Sequence, residues 1–307
     1  MNLMITGGFG FIGFNFIQYL TSLNQSDLKL FIYDNYSYAS KPYFSYKYTY
    51  CLQHDIISEY GDICDINQID TFIKKYKIDG IINFAAETHV DNSITNPSIF
   101  IETNVLGTTN LINIATKYNL RFHQISTDEV YGSVDPIKDI VTEEFKYNPS
   151  SPYSSSKASA DLICLSYFKT FNSKVTISRC TNNYGKFQHC EKLIPKVIKN
   201  IKNNVKIPVY GNGLQMRNWI HVLDHCNGIW KIFNDGKIGE IYNIGSDTLI
   251  TNIDLIKQIL KIMNKPEDLI SFVKDRPAHD LCYHLNCNKI KSELNRKQQI
   301  DFNTRYK

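Results

Sequence analysis

The chain of 307 residues is 43% hydrophobic, enough apolar matter to bury a full core, which excludes a disordered or fibrous chain. Its 34 basic and 30 acidic residues are dispersed and leave a formal charge of +4, so composition gives little ground for a nucleic-acid partner. The eight cysteines form no Cys-x-x-Cys pair and no Cys/His grouping at zinc-ligand spacing, and reduced thiols with no metal site are expected.

Taken in chain order, Met1 to Thr6 already read as a strand running into a glycine turn, which leaves no room for a signal peptide. No apolar run has the length of a membrane span, and a cytosolic, membrane-free chain is expected. Short apolar runs at Leu3–Ile5, Leu30–Tyr33, Gly80–Ala85, Phe122–Ser126 and Val175–Ser178 read as buried strands. Between them Phe11–Leu20, Ile66–Tyr76, Pro97–Tyr118 and Tyr153–Phe171 carry apolar residues at helical spacing. This alternation predicts an α/β fold with a doubly wound parallel sheet. Past Thr181 the rhythm turns irregular, which predicts a smaller α+β substrate lobe over 181–307 beside a cofactor domain over 1–180, with some lobe segments packing back on the first domain.

The first strand leads into Thr6-Gly7-Gly8-Phe9-Gly10-Phe11-Ile12-Gly13, which opens the first helix. Gly7 permits a tight turn, Gly10 a close approach of backbone to a pyrophosphate, and Gly13 close packing of helix on strand. Phe11 and Ile12 complete this candidate cofactor set at the helix start. Glycines at this spacing also serve ordinary turns, so the second strand matters. It ends at Asp34, whose carboxylate suits ribose hydroxyls and repels a 2′-phosphate, which favours NAD over NADP. Asp62-Ile63, after the third strand, suits an adenine edge, though a surface Asp before a core Ile reads nearly as well. Ala85 and Ala86, in Phe84-Ala85-Ala86-Glu87, are small enough for backbone to lie against a cofactor, or simply for helix packing.

Tyr153 and Lys157 stand four apart, on one face of a predicted helix. An ammonium beside a phenol favours the phenolate, lowering a pKa of about 10 towards the range of a general base. The fifth strand runs into Thr127-Asp128-Glu129-Val130-Tyr131-Gly132, placing a hydroxyl and two carboxylates at the carboxyl end of a strand, where open α/β sheets bind ligands.

The glycine pattern, Asp34 and the Tyr153/Lys157 pair resemble the extended short-chain dehydrogenase/reductases. Finer motifs resemble the dTDP-glucose 4,6-dehydratase family: Ala85-Ala86-Glu87-Thr88-His89-Val90-Asp91, Ser126 to Gly132, Arg179-Cys180-Thr181-Asn182-Asn183-Tyr184-Gly185, and Asp275-Arg276-Pro277-Ala278-His279-Asp280. They span nearly the whole chain in the expected order. The resemblance implies that Thr127 holds the sugar 4-hydroxyl, Tyr153 takes its proton, and hydride passes from C4 to NAD. It further implies that Glu129 removes the C5 proton, Asp128 protonates the departing C6 hydroxyl, and the hydride returns to C6. Elimination needs one carboxyl protonated and one ionised, which fits adjacent Asp and Glu. Thr88, Asn182, Lys192, Arg217, Asn252, Arg276 and His279 are the implied contacts to the nucleotide sugar, arginine being suited to bidentate phosphate contact. A homodimer is implied through Pro97–Tyr118 and Tyr153–Phe171.

Two features depart from the family pattern. Asn218 and His221 stand where many relatives carry an acidic residue and a tyrosine, and the chain ends at Lys307, where relatives continue into a further helix. The Asp128-Glu129 pair argues against a nucleotide-sugar 4-epimerase or decarboxylase, and the intact Thr127, Asp128, Glu129, Tyr153 and Lys157 set against a non-catalytic NAD-binding regulator. dTDP-glucose and UDP-glucose both remain open as substrate, since thymine and uracil differ by one methyl group, worth about 1–3 kcal/mol in a fitted pocket.

Overall fold

The computed structural model describes residues 1–275, 277, 279–300 and 302. In the first half, β1 (Asn2–Thr6), β2 (Lys29–Asp34), β3 (Ile57–Tyr60), β4 (Gly80–Asn83), β5 (Arg121–Thr127) and β6 (Val175–Cys180) alternate with helices. These are α1 (Phe11–Ser22), α2 (Phe44–Gln53), α3 (Ile66–Tyr76), α4 (Val90–Thr95), α5 (Ser98–Phe100), α6 (Thr108–Lys117) and α7 (Pro152–Phe171). The second half carries β7 (Asn182–Tyr184), α8 (Leu193–Lys202), β8 (Ile207–Tyr210), β9 (Met216–His221), α9 (Val222–Asp235) and β10 (Ile241–Ile244). It ends with β11 (Leu249–Thr251), α10 (Asn252–Ile262), β12 (Ile270–Val273), β13 (Cys282–Tyr283) and α11 (Asn288–Leu294).

The central sheet has seven strands in the order β3-β2-β1-β4-β5-β6-β10, every pair parallel. Parallel strands are joined by crossovers that lay helices on both faces, so central strands are apolar on both sides. In β1, Leu3 and Ile5 face a cluster with Phe16 and Ile17 of α1 and Ile229 and Phe233 of α9, while Met4 faces Phe72 of α3 and Leu111 of α6. The chain after β6 does more than build a separate lobe, because β10 extends the main sheet beside β6 and α9 packs against α1. The remaining late strands form two small sheets. One carries β11, β9 and β13 with β7 on its side, and the other pairs β12 with β8.

Two predicted elements differ from the structure. The Gly80–Ala85 strand stops at Asn83, leaving Phe84 to Glu87 as a loop beyond the carboxyl end of an interior strand. The long helix predicted over 97–118 is α5, then a π-helical stretch over Ile101–Gly107, then α6. Asn104, in the wide turn, accounts for the interruption. Its side chain accepts from the Glu87 amide at 2.9 Å and donates to the Glu87 carbonyl at 3.0 Å and to Ser156 Oγ at 2.9 Å. Such π-turns commonly stand beside functional sites.

Since β1 lies between β2 and β4, the connections leaving β1 and β4 diverge and open a crevice at their carboxyl ends, the place where such sheets bind ligands.

Candidate active site

The glycine loop forms the floor of this crevice. Gly7 has φ +64°, and a Cβ there would stand 2.7 Å from the Ala85 amide nitrogen, so β1 and the β4 loop touch through backbone. A Cβ on Gly13 would meet the Gly7 carbonyl at 2.4 Å, which holds α1 hard against the strand end. Gly10 differs, since a Cβ there would meet only the Gly7 carbonyl, at 3.1 Å, and otherwise project into the open cleft. Gly10 also begins α1 with no side-chain cap, leaving the first-turn N–H groups and the positive end of the helix dipole towards the cleft. Phe11, Ile12 and Gly13 line the same space.

Asp34 closes β2 beside this loop, only 4% exposed. Its Oδ2 accepts from the Phe9 amide at 2.9 Å, and Oδ1 accepts from the Tyr36 amide at 2.8 Å and the Ser40 hydroxyl at 3.0 Å. Burial raises its pKa, and these hydrogen bonds with the charge of Lys47 act in the opposite sense. Asp34, Asp62, Ile63, Ala85 and Ala86 line one cleft. Asp62 Oδ1 accepts from the Cys64 amide at 2.8 Å, and Ile63 is buried where a Cβ on Gly107 would strike it.

Thr127, Asp128, Glu129, Tyr153 and Lys157 line the adjoining cavity, together with Thr88, Asn182 and Lys192. Thr127 ends β5 and caps the short 3-10 turn Asp128–Tyr131, accepting from the Glu129 amide at 3.3 Å and donating to Asp128 Oδ1 at 3.2 Å. Asp128 is 3% exposed and its Oδ2 has no hydrogen-bond partner among the described residues. Burial and then the neighbouring Glu129 carboxylate push its pKa up to about 8, against a smaller opposing pull from Arg217. Tyr153 and Lys157 ride on α7, whose start is fixed by Pro152 and a capping box between Ser151 and Ser154. A fully buried ion pair, Asp161 to Arg179 at 2.9 Å, ties the same helix to β6.

The structure corrects one electrostatic expectation. Lys157 Nζ donates to the Ile125 carbonyl at 2.6 Å, and burial followed by the Glu129 charge raises the Tyr153 phenol well above its usual value instead of lowering it. Desolvation of both groups outweighs their shared helix face.

A second cavity opens from the first through Glu129, Asn182, Gln188, Glu191 and Lys192, and reaches Arg217, Asn252, His279 and Tyr283. Lys192 Nζ donates to the Thr88 carbonyl at 3.0 Å, bridging the two walls. Arg217 lies 4.2 Å over the Tyr283 ring and donates to the carbonyls of Met216 at 2.8 Å and Asp280 at 2.9 Å, so part of the guanidinium fork expected to hold phosphate is committed to backbone. His279 Nδ1 is 2.6 Å from Asp275 Oδ1. Arg276 lies outside the described residues. Glu87, Asn104, Gln188, His189 and Glu191 also shape the site and were not singled out from sequence. Asn104 offered no signal there, whereas Glu87 and Glu191 adjoin residues that were singled out.

A profile of the family described as GDP-mannose 4,6 dehydratase matches residues 4–307. The dTDP-glucose 4,6-dehydratase of Haemophilus influenzae is 38% identical over 98% of this chain and 94% of its own length. Among solved structures, DesIV, a dTDP-glucose 4,6-dehydratase from Streptomyces venezuelae with NAD and TYD bound, superposes with a TM-score of 0.93 at 38% identity, covering 99% of this chain and 94% of that one. UDP-glucose 4-epimerase of Thermotoga maritima superposes at 0.88 but is 21% identical, a likeness of fold alone. A Rossmann sheet with the tyrosine and lysine of α7 at its open end defines an extended short-chain dehydrogenase/reductase. Within that class, the chain belongs to the dTDP-glucose 4,6-dehydratase family.

Proposed function

We propose that this enzyme converts dTDP-glucose to its 4-keto-6-deoxy derivative, by oxidation at C4, loss of water across C5 and C6, and reduction at C6. UDP-glucose is the second substrate to be compared. The cleft suits NAD, because Gly10 leaves room where a side chain would stand and Asp34 faces the ribose position with an anion. Gly7, Gly10, Phe11, Ile12 and Gly13 would hold the pyrophosphate, Asp34 the ribose, Asp62 and Ile63 the adenine, and Ala85, Ala86, Tyr153 and Lys157 the nicotinamide half. When bound, NAD would supply redox chemistry that is neutral over a turnover, the hydride taken from the sugar being given back to it.

The protein's own groups handle the protons. Thr127 orients the sugar 4-hydroxyl, and Tyr153 receives its proton as the phenolate, a form that burial and Glu129 oppose and that the Lys157 ammonium on the same helix must favour once ligands fill the cleft. Glu129 removes the C5 proton, made acidic by the 4-keto group, and Asp128 protonates the leaving C6 hydroxyl. The observation that carries this reading is the buried Asp128 carboxyl, whose Oδ2 has no hydrogen-bond partner among the described residues, pushed up to about 8 beside Glu129. It is held as an acid at neutral pH, which elimination requires and epimerisation does not. Thr88, Asn182, Lys192, Arg217, Asn252 and His279 line the path for the nucleotide sugar, and the Arg276 role stays with them as proposed from sequence. In this reading residues 1–180 serve the cofactor and 181–307 the nucleotide sugar.

The experiment mixes Glu129→Gln with dTDP-glucose. C4 oxidation remains open while elimination is blocked, so NADH absorbance rises to a plateau with little 4-keto-6-deoxy product. Tyr153→Phe should give neither signal. Near-normal dehydration by Glu129→Gln would refute the assignment, and parallel turnover of dTDP-glucose and UDP-glucose settles the base.

We also propose a homodimer through the region of α4 to α7, which exposes Ile94, Ile99, Ile101, Leu106, Leu162 and Phe171. Among the described residues no helix is long and apolar enough to cross a membrane, and all eight cysteines are free thiols. Free thiols support a reducing, cytosolic setting.

A further inference from the structure

Helix α2 turns a lysine inward. Of its residues only Lys47 and Cys51 are buried, and Lys47 is 0% exposed. Burying an ammonium costs several kcal/mol before compensation, and an apolar side chain of similar volume would fill the space at less cost. Its compensation comes from the cofactor loop. Lys47 Nζ donates a short hydrogen bond to the Phe9 carbonyl and stands 5.8 Å from the centre of the Phe14 ring. The amide of the same Phe9 donates to Asp34 at 2.9 Å. One residue of the glycine loop is therefore gripped at its N–H by a buried anion and at its carbonyl by a buried cation.

The consequence for an anionic ligand follows from the loop's polarity. A pyrophosphate is held by N–H groups and repelled by carbonyl lone pairs. With the Phe9 carbonyl taken by a buried ammonium that does not line the cleft, those lone pairs are turned into the protein. The Gly10 amide is fixed in turn on the Gly7 carbonyl at 3.0 Å. Asp34 is tied into the same arrangement through Phe9, whose amide is the leading hydrogen bond opposing the effect of burial on the carboxyl, ahead of those from Tyr36 and Ser40 and of the charge of Lys47.

We infer that Lys47 is a positioning and specificity-determining residue for the dinucleotide, holding the Phe9 carbonyl so that the glycine loop lies under the pyrophosphate and the Phe9 amide keeps Asp34 set against a 2′-phosphate. This rests on the NAD reading above. Burial lowers the Lys47 pKa to about 8, with Asp34 acting in the opposite sense, so the ammonium is the main form at neutral pH.

The test is calorimetric titration of the full-length chain, stripped of cofactor, with NAD and with NADP. Wild type should prefer NAD clearly. Lys47→Met should weaken NAD about tenfold or more, the scale of a lost charged hydrogen bond, and bring the two affinities close together. Lys47→Gln can still donate to Phe9, so it should regain part of the NAD affinity and part of the preference. A Lys47→Met chain with wild-type preference overturns the inference, whatever its absolute affinity. So does a Lys47→Gln chain that is no better than Lys47→Met in both affinity and preference. Unchanged affinity for dTDP, which uses the far side of the cleft, separates these effects from misfolding. Should wild type bind neither dinucleotide, it is the NAD reading that fails.

Discussion

Asp128 has a cost in stability that its chemistry explains. Its carboxyl titrates near 3.8 when free and at about 8 in the fold, so folding takes up a proton between those values. Raising the pH from about 4 to about 8 therefore removes stability, because the unfolded chain gives up the proton readily and the buried site does not. Asp128→Asn keeps the shape and cannot ionise. It should melt at a temperature close to wild type near pH 4 and clearly higher at pH 8, while losing dehydration at every pH. A melting curve with no pH-dependent gain would contradict the raised value. In the wild type, turnover should fall above about pH 8 as the acid is lost. The carboxylate pair was legible from sequence because Thr127, Asp128 and Glu129 are consecutive and close a strand. The partner relations were not, since the reversed shift of Tyr153 and the inward turn of Lys47 depend on burial that only the assembled fold creates.

Elements with strong periodicity and local caps were readable, and those held by distant contacts were not. Helix α3 has the bounds its apolar spacing suggests, and Asp65 caps it by accepting from the Asn67 and Gln68 amides. Helix α2 has no apolar stripe and is organised around one buried lysine and one buried cysteine. The return of β10 to the main sheet depends on pairing with β6, which a local pattern cannot announce. At this scale the glycine loop separates folding from binding. Gly7→Ala would combine a left-handed φ with a Cβ 2.7 Å from the Ala85 backbone, and should cost on the order of 2–4 kcal/mol. Gly10→Ala meets only the Gly7 carbonyl, at 3.1 Å, and otherwise points into the cleft, so its melting temperature should stay near wild type while NAD affinity collapses. If thermal melts show the two variants equally destabilised, the distinction drawn between turn and cradle is wrong.

At the scale of the whole molecule, the helices that carry chemistry also present the surface that invites a second copy. Tyr153 and Lys157 face inward from α7, but Leu162 on the same helix is 52% exposed, and Leu106 in the adjoining π-helical stretch is 49% exposed. Ile94, Ile99, Ile101 and Phe171, on α7 or on elements that pack against it, are exposed as well, and apolar side chains left to water on packed helices mark interaction surfaces. A two-fold contact would cover this surface with itself, and because α7 carries Tyr153 and Lys157, docking would also stiffen the helix on which the proposed site depends. Wild type should therefore sediment as a dimer at micromolar concentration. Leu106→Glu combined with Leu162→Glu places charge where dimerisation would bury it, and should shift the protein to monomer with turnover reduced and the NAD site intact. A wild type that sediments only as monomer removes the proposal. A double variant that remains dimeric shows that the interface lies elsewhere, leaving these exposed leucines without the role assigned to them.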